Sequence, residues 1–401
     1  MQRIGFLESI RGLAAMQVVL LHVFSAFIPK LTEPAGPDLL GYLHHSPLFF
    51  LYDGYSAVYL FFILSGYVLD RAFGASEAGP IVTYVGRLVR LGLPALAVCV
   101  LATALFAIFK NAHIEAGKEA GSVWLSMLWT PELSLTFVLK DAIVNALLIG
   151  YTWNDGYQWL SPWQDFVGRS FASPMWSLSW EMFGSVIVYA LVKIRRTSKP
   201  LYFFTVFTLC VFFIRSAYLC FILGSLAATF QLSERAPVLR ARHAVPLIAV
   251  GIATCVVAEF WVPRWITVLC ESKTLLLYPQ QGAKFVMKIY GALMLFFGIN
   301  QFGAARTALS VPRLVKFSEL SFSIYLLHWP ILFGPSAALY LVLSFNSTAI
   351  IAAFFASAAT IIVTFLAAKI FVHVDRLAIT LSKKVRRIGK LSPATSGSAS
   401  K

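Results

Sequence analysis

The chain alternates long apolar runs with short polar gaps, and the runs have the length of membrane-spanning helices. A spanning helix needs about 20 mostly apolar residues. By that measure spans are predicted near residues 10–29, 48–70, 91–109, 174–192, 200–214, 216–232, 245–262, 285–304, 318–342 and 348–370. The stretch from Leu320 to Ala368 holds no Asp, Glu, Lys or Arg, and Asn346-Ser347-Thr348 marks a turn inside it. The fifth and sixth runs are short and meet around Arg215. Residues 121–151 are also apolar, but Pro131, Glu132, Lys140 and Asp141 interrupt them, which predicts a re-entrant or surface helix pair. The pattern describes an all-α polytopic membrane protein with about ten transmembrane helices.

Composition agrees. Hydrophobic residues make up 59% of the chain and charged residues 13%, against about 25% charged in a soluble domain. The formal charge of +15 would suit nucleic acid, but the basic residues sit in short gaps between apolar runs, which excludes that partner. Their distribution instead orients the chain, because Lys and Arg collect on the cytoplasmic side. Both termini are expected there, in an inner (cytoplasmic) membrane, with residues 111–173 forming an outer segment rich in Trp, Tyr, Asp and Gly. Residues 1–375 form the expected membrane domain, and 376–401 a basic cytoplasmic tail, disordered by composition. The first apolar run lacks a small-residue cleavage site and reads as a retained span. Cys99, Cys210, Cys220, Cys255 and Cys270 lack metal-site spacing and read as packing residues.

Polar residues inside the runs are the candidate chemistry, since an ionisable group in hydrocarbon is costly unless it meets a partner or water. Arg11 and His22 are eleven helical positions apart, about three turns and about 16 Å, so they share one face at two depths. The ordinary alternative is an interfacial arginine and a histidine hydrogen-bonded within the bundle. Counting rise from the span ends sorts the polar groups into layers. His22, Glu181 and His328 fall in the middle to outer half, where an imidazole with a carboxylate beside it could take a proton from an alcohol. Arg11, Ser65, Gly66, Arg71, Arg87 and Arg90 gather at the inner end. Arginine pairs bidentately with phosphate oxygens, although inner Lys and Arg are ordinary in membrane proteins. Trp153, Trp159 and Trp163 read as an interfacial belt, with sugar stacking as the alternative.

Four segments together resemble the membrane O-acyltransferases of the acyltransferase-three group. They are Glu8-Ser9-Ile10-Arg11-Gly12-Leu13-Ala14-Ala15 with His22 following, Leu60-Phe61-Phe62-Ile63-Leu64-Ser65-Gly66-Tyr67, Pro174-Met175-Trp176-Ser177-Leu178-Ser179-Trp180-Glu181, and Ser321 to Pro330 containing Tyr325 and His328. They occur in the family's order over nearly the whole chain. Two positions depart: Tyr59 stands where many members carry an acidic or other polar residue, and Glu8 replaces the usual Asp. The resemblance implies transfer of an acyl group, commonly acetyl from acetyl-coenzyme A, to a carbohydrate hydroxyl. It makes His22 the candidate catalytic residue with Arg11 as its companion, and Glu181 and Ser177 further site candidates.

The combined expectation is an O-acyltransferase that uses acetyl-coenzyme A (or another acyl-coenzyme A) as co-substrate and a carbohydrate or glycolipid as acceptor. Donor contacts are expected at Arg11, Ser65, Arg71, Arg87 and Arg90. His22 would act as general base or acyl carrier with Glu181 orienting it, and Ser177, His328 and Trp163 would meet the acceptor. No soluble domain is read in the chain, so the membrane part is expected to complete the transfer. The rival reading is a proton-coupled secondary transporter of small organic anions, which also uses intramembrane His, Glu and Arg; no duplication of broken helices of the kind such folds show is visible. An inactive scaffold is a third reading.

Overall fold

The computed structural model describes residues 4–33, 38–152, 163–271 and 282–391. Eight helices are long and apolar enough to cross a membrane: α1 (Gly5–Phe27), α2 (Gly54–Gly74), α3 (Pro80–Phe109), α4 (Trp176–Thr197), α7 (Ala241–Phe260), α8 (Ala283–Asn300), α9 (Pro312–Ser344) and α10 (Ala349–Leu391). Between α4 and α7 lie α5 (Lys199–Phe212) and α6 (Tyr218–Thr229). At about 1.5 Å per residue these two are about 21 and 18 Å long, each short of a ~30 Å hydrocarbon core. The expected spans at 200–214 and 216–232 are therefore a short apolar hairpin. The chain turns where Arg215, 1% exposed, bonds the Cys270 carbonyl at 3.0 Å.

Several helices extend beyond their apolar runs. α3 begins at Pro80, with proline in the first-turn position it favours, so Arg87 and Arg90 lie within a helix rather than before one. The last helix does not stop near residue 375. It has no Gly or Pro before Gly389, and it continues to Leu391, so residues 376–391 are helical rather than a disordered tail. The tail beyond 391 lies outside the described residues. The 121–151 region is realised as short pieces, Val123–Met127, Leu135–Leu139 and a π-helical stretch Lys140–Ile149, the last packed on α3 and α4. Pro330 lies inside α9, which passes into π geometry at Leu332–Ser336 around Pro335, a common way for a helix to absorb a break in its ladder.

Packing places α2 at the centre, against α1, α4, α6 and α8. Its crossing with α6 is a backbone contact: a Cβ at Gly66 would overlap the Phe221 carbonyl, and one at Gly224 would overlap that of Ile63. Small residues permit such approach where helices must gain packing without hydrophobic drive. Gly66 therefore sets a helix spacing, which holds its neighbour Ser65 toward α4.

Candidate active site

Two cavities lie along α1 and share Val58 and Tyr325 in their walls. The larger, about 440 Å³, lies at the end of the bundle where α1 begins and contains Arg11, Ser65, Arg87, Arg90, Ser177 and Glu181. The smaller, about 200 Å³, lies deeper and contains His22 with Tyr55, Trp124, Trp176, Phe285 and Trp329.

The larger cavity is highly charged yet balanced. Arg11 pairs with Glu8 at 3.1 Å, Arg87 with Glu181 at 2.8 Å, Arg90 with Asp375, and Arg376 with Glu319 at 3.3 Å. All eight groups line the cavity. Ser65 donates a further hydrogen bond to Glu181. The arginines expected to gather here are thus members of matched pairs, each already holding a carboxylate from its own or a neighbouring helix. Arg71 is not part of this cavity: it pairs with Glu234, which also accepts from Tyr67 at 2.9 Å, and it lines neither cavity.

Glu181 does not meet His22, contrary to the depth argument. It faces α2 and α3 and belongs to the arginine set, because the rotation of α4 directs it there. His22 is joined instead to His328, Nδ1 to Nε2 at 2.8 Å, while His328 Nδ1 lies 3.1 Å from the Ile324 carbonyl. A carbonyl only accepts, so His328 carries its proton on Nδ1 and presents an unprotonated Nε2. His22 must then donate from Nδ1, and the neutral His22 ring keeps a lone pair on Nε2. Hydrogen positions follow here from the bonding pattern. No group among the described residues hydrogen-bonds that Nε2. Trp124 stacks on the His22 ring at 5.4 Å and Trp329 meets it edge-on at 5.2 Å, so rotation of the imidazole is restricted from both sides.

Tyr325 separates the cavities. Its hydroxyl lies 2.8 Å from the Pro174 carbonyl and 2.9 Å from Ser177 Oγ, which locks α9 to the start of α4. Ser177 therefore faces the charged cavity and is bonded to Tyr325. Trp163 is 64% exposed and lines neither cavity; Trp153 and Trp159 lie outside the described residues. The tryptophans around His22 are Trp124, Trp176 and Trp329. Two of these stand inside quoted motifs, but Trp124 sits on a five-residue helix that no sequence signal singled out. Sequence reasoning also missed Lys288, fully buried beside the smaller cavity, where it meets Asp53 at 2.7 Å and Glu259 at 3.1 Å. A buried ammonium needs such partners to remain charged.

Comparison with known proteins gives one match. No curated protein and no solved structure matches the chain. The sequence profile of the acyltransferase-three family, described as an acyltransferase domain, matches residues 4–369, which takes in α1 to α9, the first half of α10, the whole wall of the smaller cavity and all of the larger one's except Val372, Asp375, Arg376 and Ile379. The chain is a multi-pass membrane protein and belongs to the acyltransferase-three family.

Proposed function

We propose that the protein transfers an acyl group, most simply acetyl, from coenzyme A to a hydroxyl of a carbohydrate or glycolipid. The observation that carries this reading is the His22–His328 pair, which leaves an unprotonated Nε2 on an imidazole that lines an aromatic-walled cavity. The donor enters the charged cavity, at the cytosolic face of the cytoplasmic membrane, with its thioester directed past Tyr325 and Val58 toward His22. Arg11 lies about 16 Å from His22 along α1, so it serves the donor and not the imidazole.

The acceptor hydroxyl sits between Trp124, Trp176 and Trp329, whose faces suit a sugar ring. His22 Nε2 takes the hydroxyl proton as the oxygen attacks the thioester carbonyl. The new C–O bond forms, the C–S bond breaks, and the proton passes to the departing sulfur. An ester and free coenzyme A leave, and His22 is neutral again. While the imidazolium exists, its Nδ1–H bond to His328 becomes charge-assisted and stronger. Docking of coenzyme A requires its phosphates to share or replace the carboxylates now on the arginines, which favours a pocket that opens as the donor binds.

Thiol release from acetyl-coenzyme A by purified protein in lipid nanodiscs tests the reading. Release by wild type that disappears in His22→Ala is the expected result. No release and no coenzyme A binding by folded wild type would overturn it and return the organic-anion transporter to first place.

A further inference from the structure

One arginine near the charged cavity, just outside its wall, has no counter-charge among the described residues. Arg386 makes no ion pair among the described residues, and its Nε is buried without a hydrogen-bond partner. A guanidinium placed that way carries an unmet demand for an acceptor. Its position is specific. Ile379 lines the cavity from α10, and seven residues further along a helix return to nearly the same face with about 10 Å of rise. Helical side chains lean toward their helix's N-terminus, so Arg386 leans back toward the opening.

The neighbouring helix is shaped for it. α3 and α10 run antiparallel here, Arg90 meeting Asp375 while Gly86 meets Ser382 and Arg386. A Cβ on Gly86 would stand 3.1 Å from Arg386 Nε and 3.4 Å from its Cγ. The missing side chain leaves the slot that the arginine crosses. Arg87 is the next residue, close enough for the two guanidinium groups to repel each other. Two cations are thus held together beside the cavity, one matched by Glu181 and the other by no carboxylate among the described residues.

We propose that Arg386 is a phosphate ligand of the donor site, filled when acyl-coenzyme A binds. This rests on the donor reading above. Of the phosphates on that molecule, the 3′-phosphate monoester lies farthest along it from the thioester, and Arg386 lies beyond the cavity from His22, so the geometry matches these two ends. A lipid headgroup phosphate has the same chemistry and is the competing source.

The test compares wild type with Arg386→Gln and Arg386→Lys, using acetyl-coenzyme A and its 3′-dephospho analogue, with KM from turnover and Kd from calorimetry. The expected result is about a tenfold rise in KM and Kd for Arg386→Gln, partial rescue by Lys, and kcat within about twofold. With the dephospho donor, wild type and Arg386→Gln should coincide. Equal values for both proteins with acetyl-coenzyme A overturn the proposal. So does a difference that appears equally with both donors and only in discs of anionic lipid, which would assign Arg386 to a headgroup. If folded wild type binds no coenzyme A, the donor reading falls first, and it is distinguished by that control.

Discussion

The charged cavity and the aromatic cavity share two wall residues and are otherwise built from opposite materials. In the first, four arginines face four carboxylates, and every cation on the wall has a local partner. In the second, three tryptophans surround one imidazole whose other nitrogen is tied to a second histidine. The first arrangement resists collapse by charge pairing and gives way only to a ligand that offers anions in exchange. The second fixes a single lone pair in an apolar chamber and depends on orientation. On the proposed function, binding and chemistry are thereby separated along α1, and each should be open to damage without the other.

The strongest test of that separation is His22→Gln. It should lower kcat by about two to four orders of magnitude while leaving coenzyme A affinity unchanged by calorimetry; loss of affinity would show that the cavities are one site. His328→Phe should lower kcat by about one to two orders of magnitude, the cost of losing the partner that orients the base. His328→Gln, whose amide oxygen can accept from His22 Nδ1–H, should recover much of it, and failure to do so would sink the tautomer argument. In the charged cavity, Glu181→Ala strands Arg87 and should cost about 2–3 kcal/mol of stability, read by thermal unfolding in detergent. The Glu181→Ala/Arg87→Ala double variant should be less impaired than the single one. Trp124→Ala should raise the acceptor KM by about fivefold, a stacking contact's worth, with Trp163→Ala unchanged as the exposed control.

Apolar run length was enough to find the helices that matter here, and the motif order pointed to the family. Helix rise along α1 correctly separated Arg11 from His22, because both lie on one continuous element. The same counting assigned Glu181 to His22, since depth across different helices says nothing of rotation. Once α4 is seated against α2 and α3, its carboxylate belongs to Arg87. Hydropathy misplaced the ends of α3 and α10 for a related reason: it marks where hydrocarbon stops, whereas a helix stops at a breaker or a cap. Trp124 and Lys288 were invisible because each takes its place from a partner more than a hundred residues away, His22 for the one and Asp53 for the other.

The length of α10 has a mechanical consequence. Its 43 residues extend about 65 Å, roughly twice the ~30 Å hydrocarbon thickness, without a break. The exposed apolar stretch with Ile350, Phe354 and Ile362 and the stretch with Asp375, which lines the charged cavity, and Arg386 beyond it are therefore one rod. Hydrophobic mismatch tilts such rods at modest cost, and any tilt swings Asp375 relative to Arg90. On the proposed function, bilayer thickness thus enters donor capture as a variable that no residue of the cavity encodes, and donor KM measured across lipids of stepped chain length would read it directly.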